Sequence, residues 1–157
     1  MATANAATTF LENRILSFIF KNNAASFTTP GNGIYVGLAT NVTNFDDSTG
    51  ESGDAVITEA TFGGYGRIQV NHADWTLATD TANTQTIKNT NAIEFNESTG
   101  TDNTISHVFV ATHQTNSLDT IGSGGNVLFI GKLDTNKVIS TGDIFRINAL
   151  NLTIEMK

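Results

Sequence analysis

The fold depends on the stretch EATFGGYGRIQV, residues Glu59 to Val70. A phosphate-binding loop here would lead into a helix, whereas a hinge would lead into a β-strand. A Walker loop ends in Gly-Lys-Ser/Thr at a helix start, and a dinucleotide-binding loop has the pattern G-x-G-x-x-G between a strand and a helix. The stretch has neither pattern, and RIQV continues as a strand. We therefore predict a hinge, in which Gly63 and Gly64 adopt φ values that other residues resist and Tyr65 packs over the turn.

Short β-rich runs fill the chain after residue 33. They are GIYVGLAT (33–40), GRIQV (66–70), NAIEF (91–95), ISHVFVAT (105–112), NVLFIGKL (126–133), KVIS (137–140) and DIFRINA (143–149). The last run, LNLTIEM (150–156), alternates strictly, which predicts four inward-facing residues: Leu150, Leu152, Ile154 and Met156. Three Ser-Thr-Gly turns and two loops, at 41–58 and 114–126, punctuate the chain. This pattern predicts an all-β fold, a jelly-roll-like β-sandwich.

The N-terminal region predicts an arm followed by one α-helix. Residues 1–7 are small and polar, so we expect residues 1–9 to form a flexible arm that needs a partner to become ordered. Thr9 and Glu12 have the spacing of a capping box. The positions that repeat at helical spacing are Leu11, Ile15, Phe18 and Ile19. We expect residues 10–157 to form a single β-sandwich domain that includes this helix, because a chain of this length can bury one core.

The composition argues against several classes of partner. The net charge is −7 with only eight lysines and arginines, whereas nucleic-acid binding needs a basic face, so we expect no nucleic-acid partner. The chain has no cysteine, which excludes disulfides and thiolate metal sites. The sequence contains no apolar run long enough for a membrane span and no secretory signal pattern, so we expect no membrane association.

The candidate catalytic and metal-binding residues do not form a recognisable site in the sequence. His107 and His113 are predicted on one strand, about 20 Å apart, too far to share an ion. His72 and Asp74 give two ligands at most. In the acidic loop NFDDSTGESGD, Thr49 stands where an EF-hand requires glycine and no glutamate stands at the twelfth position. No G-x-S-x-G serine is present. We therefore expect no enzyme activity, no cofactor and no metal.

The order of the motifs resembles a family of small virion proteins of tailed bacteriophages. The matching segments are FLENRILSFIFKNN, IYVGLAT after a Pro-Gly turn, the acidic loop, GGYGRIQV, ISHVFVA, VLFIGKL and ISTGDIFRI. Members of this family are labelled tail-fibre-like or resemble cement proteins that decorate capsids. The resemblance implies a capsid decoration protein on the virion surface, a homotrimer that binds the major capsid protein and bridges neighbouring capsomers. A tail-associated fibre, an adaptor or a glycan-binding receptor module is the alternative, with Trp75 or Tyr35 as glycan platforms.

Two segments are candidate interfaces under this resemblance. The arm supplies Ala2, Thr3, Ala4 and Asn5, which can become ordered on the shell or on a sister subunit. The helix supplies Phe10, Leu16 and Phe20, which widen its apolar arc beyond one packing face and can serve a trimer axis. The alternatives are a frayed terminus and a helix that lies only on its own sandwich.

Overall fold

The computed structural model describes residues 5–7, 9–21, 33–43, 56–79, 85–114 and 127–156. These ranges contain one α-helix, one short 3-10 turn and eleven strands. In chain order the elements are β1 (Asn5–Ala7), α1 (Thr9–Lys21), β2 (Ile34–Thr43), β3 (Val56–Glu59), β4 (Ile68–Val70), the 3-10 turn (His72–Asp74), β5 (Trp75–Thr79), β6 (Gln85–Asn89), β7 (Ile93–Glu94), β8 (Asn103–Ala111), β9 (Val127–Ile139), β10 (Arg146–Ile147) and β11 (Thr153–Met156).

The strands form three antiparallel sheets. The larger sheet has the order β1-β9-β8-β2-β3, and β4 also pairs with β2. The opposite layer consists of a three-stranded sheet, β11-β6-β5, and a two-stranded sheet, β10-β7. The described residues therefore form an all-β sandwich with one α-helix, as the sequence predicts.

The main core lies between these layers. Its aliphatic members come from both sides: Val36, Leu38 and Val108 from the larger sheet and Ile93 from β7. At its centre the ring of Phe95 stacks on that of Tyr65 at 6.1 Å and meets Phe145 edge to face at 5.8 Å. Because each fully buried side chain of this size contributes about 1.5–3 kcal/mol, these contacts hold the two layers together.

The structure differs from the predicted arm at three residues. Asn5–Ala7 form β1 and pair with the edge of β9, with Asn5 opposite Gly131 and Ala7 opposite Phe129. The backbone of β9 offers unpaired donors and acceptors at this edge, which an extended segment can satisfy whatever its side chains are. Ala2, Thr3 and Ala4 lie outside the described residues.

Strand β9 joins the two predicted runs NVLFIGKL and KVIS. Its pairing with β8 shifts register between His107↔Lys132 and Ile105↔Lys137, so Leu133–Asn136 bulge opposite the single residue Ser106. A bulge breaks the alternation of side chains, which explains why the sequence pattern shows two runs where the structure has one strand.

The inward position predicted for Leu150 is wrong. Leu150 is 53% exposed and has φ 65°, because it lies in the turn before β11 rather than in the strand. Its backbone N–H donates to the carbonyl oxygen of Asn89 at 2.8 Å. The alternation of apolar and polar residues in the sequence therefore starts three residues before the strand β11 does.

The helix α1 lies where the sequence predicts it. Glu12 in its first turn and Lys21 in its last turn complement the helix dipole. Leu11 is buried and Ile15 is half-buried, and the helix contacts β9. The side chains of Thr9 and Phe10 lie outside the described part, so the capping box stays a prediction.

Candidate functional site

The glycine-rich stretch is a hinge between β3 and β4, because residues 68–70 form a strand and no helix follows the glycines. Gly64 has φ 86°, which favours glycine, as predicted. Gly63 has another reason to be glycine: an added Cβ would lie 2.3 Å from Oγ1 of Thr99. The prediction of an unusual φ at Gly63 is wrong, since the constraint there is space.

The hinge places Tyr65 at a gap in the larger sheet. Strand β2 pairs with β4 through residues 34–36 and with β3 from Ala39 onward, which leaves Leu38 between the two partners. The Tyr65 hydroxyl fills this gap: it accepts from the Leu38 N–H at 3.0 Å and donates to Oε1 of Glu59 at 2.7 Å. Burial, and then the negative charge of Glu59, raise the pKa of Tyr65 far above its ordinary value of 10.0, so the hydroxyl keeps its proton.

Arg67 completes this cluster. Its Nε donates to Oε1 of Glu59 at 2.8 Å and its Nη2 to Oε2 at 2.9 Å, a bidentate ion pair. Its Nη1 donates to the carbonyl oxygen of His113 at 3.0 Å, and its guanidinium lies 4.8 Å from the ring centre of Phe109. All three guanidinium nitrogens have partners within the fold, so the cluster fastens β3, β4 and the end of β8 together rather than presenting charges to a substrate.

The histidines do not form a catalytic or metal-binding arrangement in the described residues. His107 lies on β8, whereas His113 lies beyond its end, so the two do not share a strand as the sequence suggested. Burial, and then the charge of Lys132, lower the pKa of His107. Ser106 Oγ lies 2.7 Å from Nδ1 of His107, but it donates its proton to the Thr40 carbonyl at 2.8 Å. The hydroxyl is therefore not activated by the imidazole as a nucleophile would be.

Two further candidate sites give no ligand cluster. His72 and Asp74 lie on the 3-10 turn, and Asp74 accepts from the side chains of Asn71 and Asn91. No group of three or more potential ligands is close enough to hold a metal ion in the part that the structure describes. The acidic loop NFDDSTGESGD lies outside the described residues. Among those that are described, no helix combines the length and apolar character needed to span a bilayer.

The second half of α1 exposes large apolar side chains. Leu16 is 54% exposed, Ile19 is 61% exposed and Phe20 is 77% exposed. These three residues have i, i+3, i+4 spacing and share one face, which we call the helix stripe. The structure thus brings together two predicted interface residues, Leu16 and Phe20, and adds Ile19, which the sequence pattern placed on the packing face.

An apolar groove of about 600 Å³ opens between the larger sheet and the segment that carries β10 and β11. Six of its apolar lining residues are Val110, Phe129, Val138, Ile144, Ile147 and Ile154. Charged residues in its lining are Lys137, Asp143, Arg146 and Glu155. Val138 and Ile144 are 62% and 49% exposed, so the groove is open to solvent. The sequence did not predict this groove, although both residues lie in apolar runs.

The described residues thus form a small β-sandwich that exposes an apolar helix face and an apolar groove, surfaces of the kind at which other molecules bind. The comparison with protein families specifies the class of protein. Residues 6–155 match the family described as Podophage GP4 fiber I protein gp80, and since the match spans almost the whole chain, the chain belongs to this family. It is thus a fibre-like structural protein of a bacteriophage virion, which agrees with the resemblance seen in the sequence. No curated protein matches the chain.

Proposed function

We propose that the chain is a non-catalytic subunit of the virion that self-associates as a homotrimer and attaches to a larger virion assembly through apolar contacts. The observation that supports this function is the helix stripe, whose three side chains are each more than half exposed. Contiguous apolar surface of this kind is typical of sites at which another protein surface binds. The hydrogen bonds within the Glu59–Tyr65–Arg67 cluster support a structural role for these polar side chains.

The family description favours a fibre-associated position in the virion. Capsid decoration is the second candidate, with the major capsid protein as partner, and the exposed apolar helix supports it as well. A cement protein ties neighbouring capsomers by burying surface across their boundary, and a helix stripe can provide that surface.

Copy number in purified virions tests the two positions. Quantitative mass spectrometry with isotope-labelled peptides gives the molar ratio of this chain to the major capsid protein. A fibre subunit has a small fixed number of copies per particle, whereas a cement protein approaches the copy number of the capsid lattice. Absence from washed virions would refute both positions, and a sedimentation mass of one chain for the isolated protein would refute the self-association.

A further inference from the structure

The N-terminal part of the chain, β1 with α1, docks on a single strand of the sandwich. The main contacts of both elements are with β9, and β1 pairs with it only through Asn5–Ala7. We call residues 5–21 the strand–helix unit. Two of the three β1 residues are alanines, so backbone hydrogen bonds supply most of this pairing. A backbone edge of this kind accepts the same segment from any copy of the chain.

The connection between the strand–helix unit and the sandwich is long. Residues 22–32 separate Lys21, the last residue of α1, from Gly33. A segment of this length reaches roughly 35 Å when extended. That reach exceeds the ~15 Å radius of gyration of a folded chain of this size. The unit can therefore dock on the β9 of a neighbouring copy without any change in the sandwich.

Docking within one chain leaves the helix stripe uncovered. On its own β9 the unit buries Leu11, whereas Leu16, Ile19 and Phe20 stay 54%, 61% and 77% exposed. When the unit crosses to a neighbour, its docking contacts on β9 are the same as within one chain. Because Lys21 leads back to its own sandwich, the second half of α1 then lies at the junction of two sandwiches. Burial of apolar surface at that junction favours the exchanged form.

We propose that the strand–helix unit is exchanged between copies, so that β1 of one copy pairs with β9 of the next. The register is the one that the structure shows within one chain, with Ala7 opposite Phe129. Exchange of an identical element is a low-cost route to an assembly, and a head-to-tail exchange closes a ring when the rotation between copies allows it. A ring of three gives the homotrimer proposed above, on which this inference rests. The competing arrangement keeps β1 on its own β9 and joins the copies through the helix stripes alone.

Disulfide trapping separates the two arrangements. The chain has no cysteine, and opposed residues of antiparallel strands have Cα atoms about 4.5–5.5 Å apart, within the range of a disulfide. The variant Ala7→Cys/Phe129→Cys is oxidised mildly in its assembled form and run on a non-reducing denaturing gel. Exchange predicts covalent multimers up to the size of the ring. Docking within one chain predicts a closed single chain that migrates as a monomer.

Two further variants control this measurement. Leu77→Cys/Ile87→Cys joins opposed residues of β5 and β6, which stay in one chain in both arrangements, so it should give only a monomeric disulfide. Asn5→Cys/Gly131→Cys tests the same pairing of β1 with β9 and keeps the Phe129 side chain. It should give the same covalent multimers as the first variant.

The outcomes separate this inference from the proposed self-association. A wild-type chain that sediments as a monomer overturns both. If the wild type sediments as a trimer and both β1–β9 variants yield only monomeric disulfides, the self-association stands and the exchange is wrong.

Discussion

The ion pair between Glu59 and Arg67 allows a sharp prediction about stability. The Arg67 side chain is 1% exposed and that of Glu59 is 9% exposed. Glu59→Gln leaves the buried guanidinium without its counter-charge and sets an amide donor against one of its N–H groups. Breaking a buried pair in this way costs about 3–5 kcal/mol, a large share of the ~5–15 kcal/mol by which a domain of this kind is stable. At ~2–4 °C per kcal/mol, the melting temperature should fall by roughly 6–20 °C.

The exposed pair Arg146–Glu94 provides the matched control. Its atoms are 3.8 Å apart and its side chains are 56% and 54% exposed, so Glu94→Gln should cost less than about 1 kcal/mol. Urea titration of both variants, followed by far-ultraviolet circular dichroism, gives the free energies of unfolding. If Glu59→Gln costs no more than Glu94→Gln, the buried cluster does not stabilise the fold as argued. The double variant Glu59→Gln/Arg67→Met should lose less than the sum of its single changes, because no unpaired charge remains.

Three further predictions concern pH and packing. The fold raises the pKa of Tyr65, so the contribution of its protonated hydroxyl to the free energy of unfolding is complete below pH 10.0 and should be lost as the pH rises above that value. Tyr65→Phe should flatten this decline in urea titrations at increasing alkaline pH. The fold lowers the pKa of His107, so the contribution of its neutral ring to the free energy of unfolding is complete above pH 6.5 and should be lost as the pH drops below that value. A His107→Asn variant whose free energy of unfolding falls as steeply with acid as that of the wild type would contradict this. An added Cβ at Gly37 would lie 2.2 Å from the fully buried Phe109 ring, so Gly37→Ala should cost about 1–3 kcal/mol or more; Gly66→Ala, with nothing within 4 Å, should change the free energy of unfolding by less than about 1 kcal/mol in either direction.

Much of the fold was predictable from periodicity. The single helix and the strands β2 and β8 follow from local patterns, because burial of one face or of both faces leaves a direct trace in the sequence. Strands β1, β3, β5 and β6 were not predicted. Asn5–Ala7 is a strand only because the edge of β9 lies beside it, and small side chains carry no trace of such backbone pairing.

The candidate site was predictable only in part. Leu16 and Phe20 were singled out because an apolar arc wider than one packing face leaves side chains uncovered, and both are exposed in the structure. The groove was not predicted, because its lining comes from five strands, β1, β8, β9, β10 and β11, which only the fold brings together. The partnership of Glu59 with Arg67 also required the fold, since two oppositely charged residues eight positions apart have no fixed relation along a hinge.

The pairing of β1 with β9 has a consequence for how the chain is made in the cell. Asn5 meets Gly131, a partner that the ribosome adds 126 residues later. At ~5–20 residues per second, the first strand waits roughly 6–25 seconds for its place in the sheet. During that interval α1 lacks the strand it contacts, and its apolar residues are open to any neighbouring nascent chain. Strand edges and apolar side chains that stay unpaired for seconds favour aggregation. We therefore expect the yield of soluble protein to depend on chaperone capacity and on growth temperature more than on the stability of the finished fold.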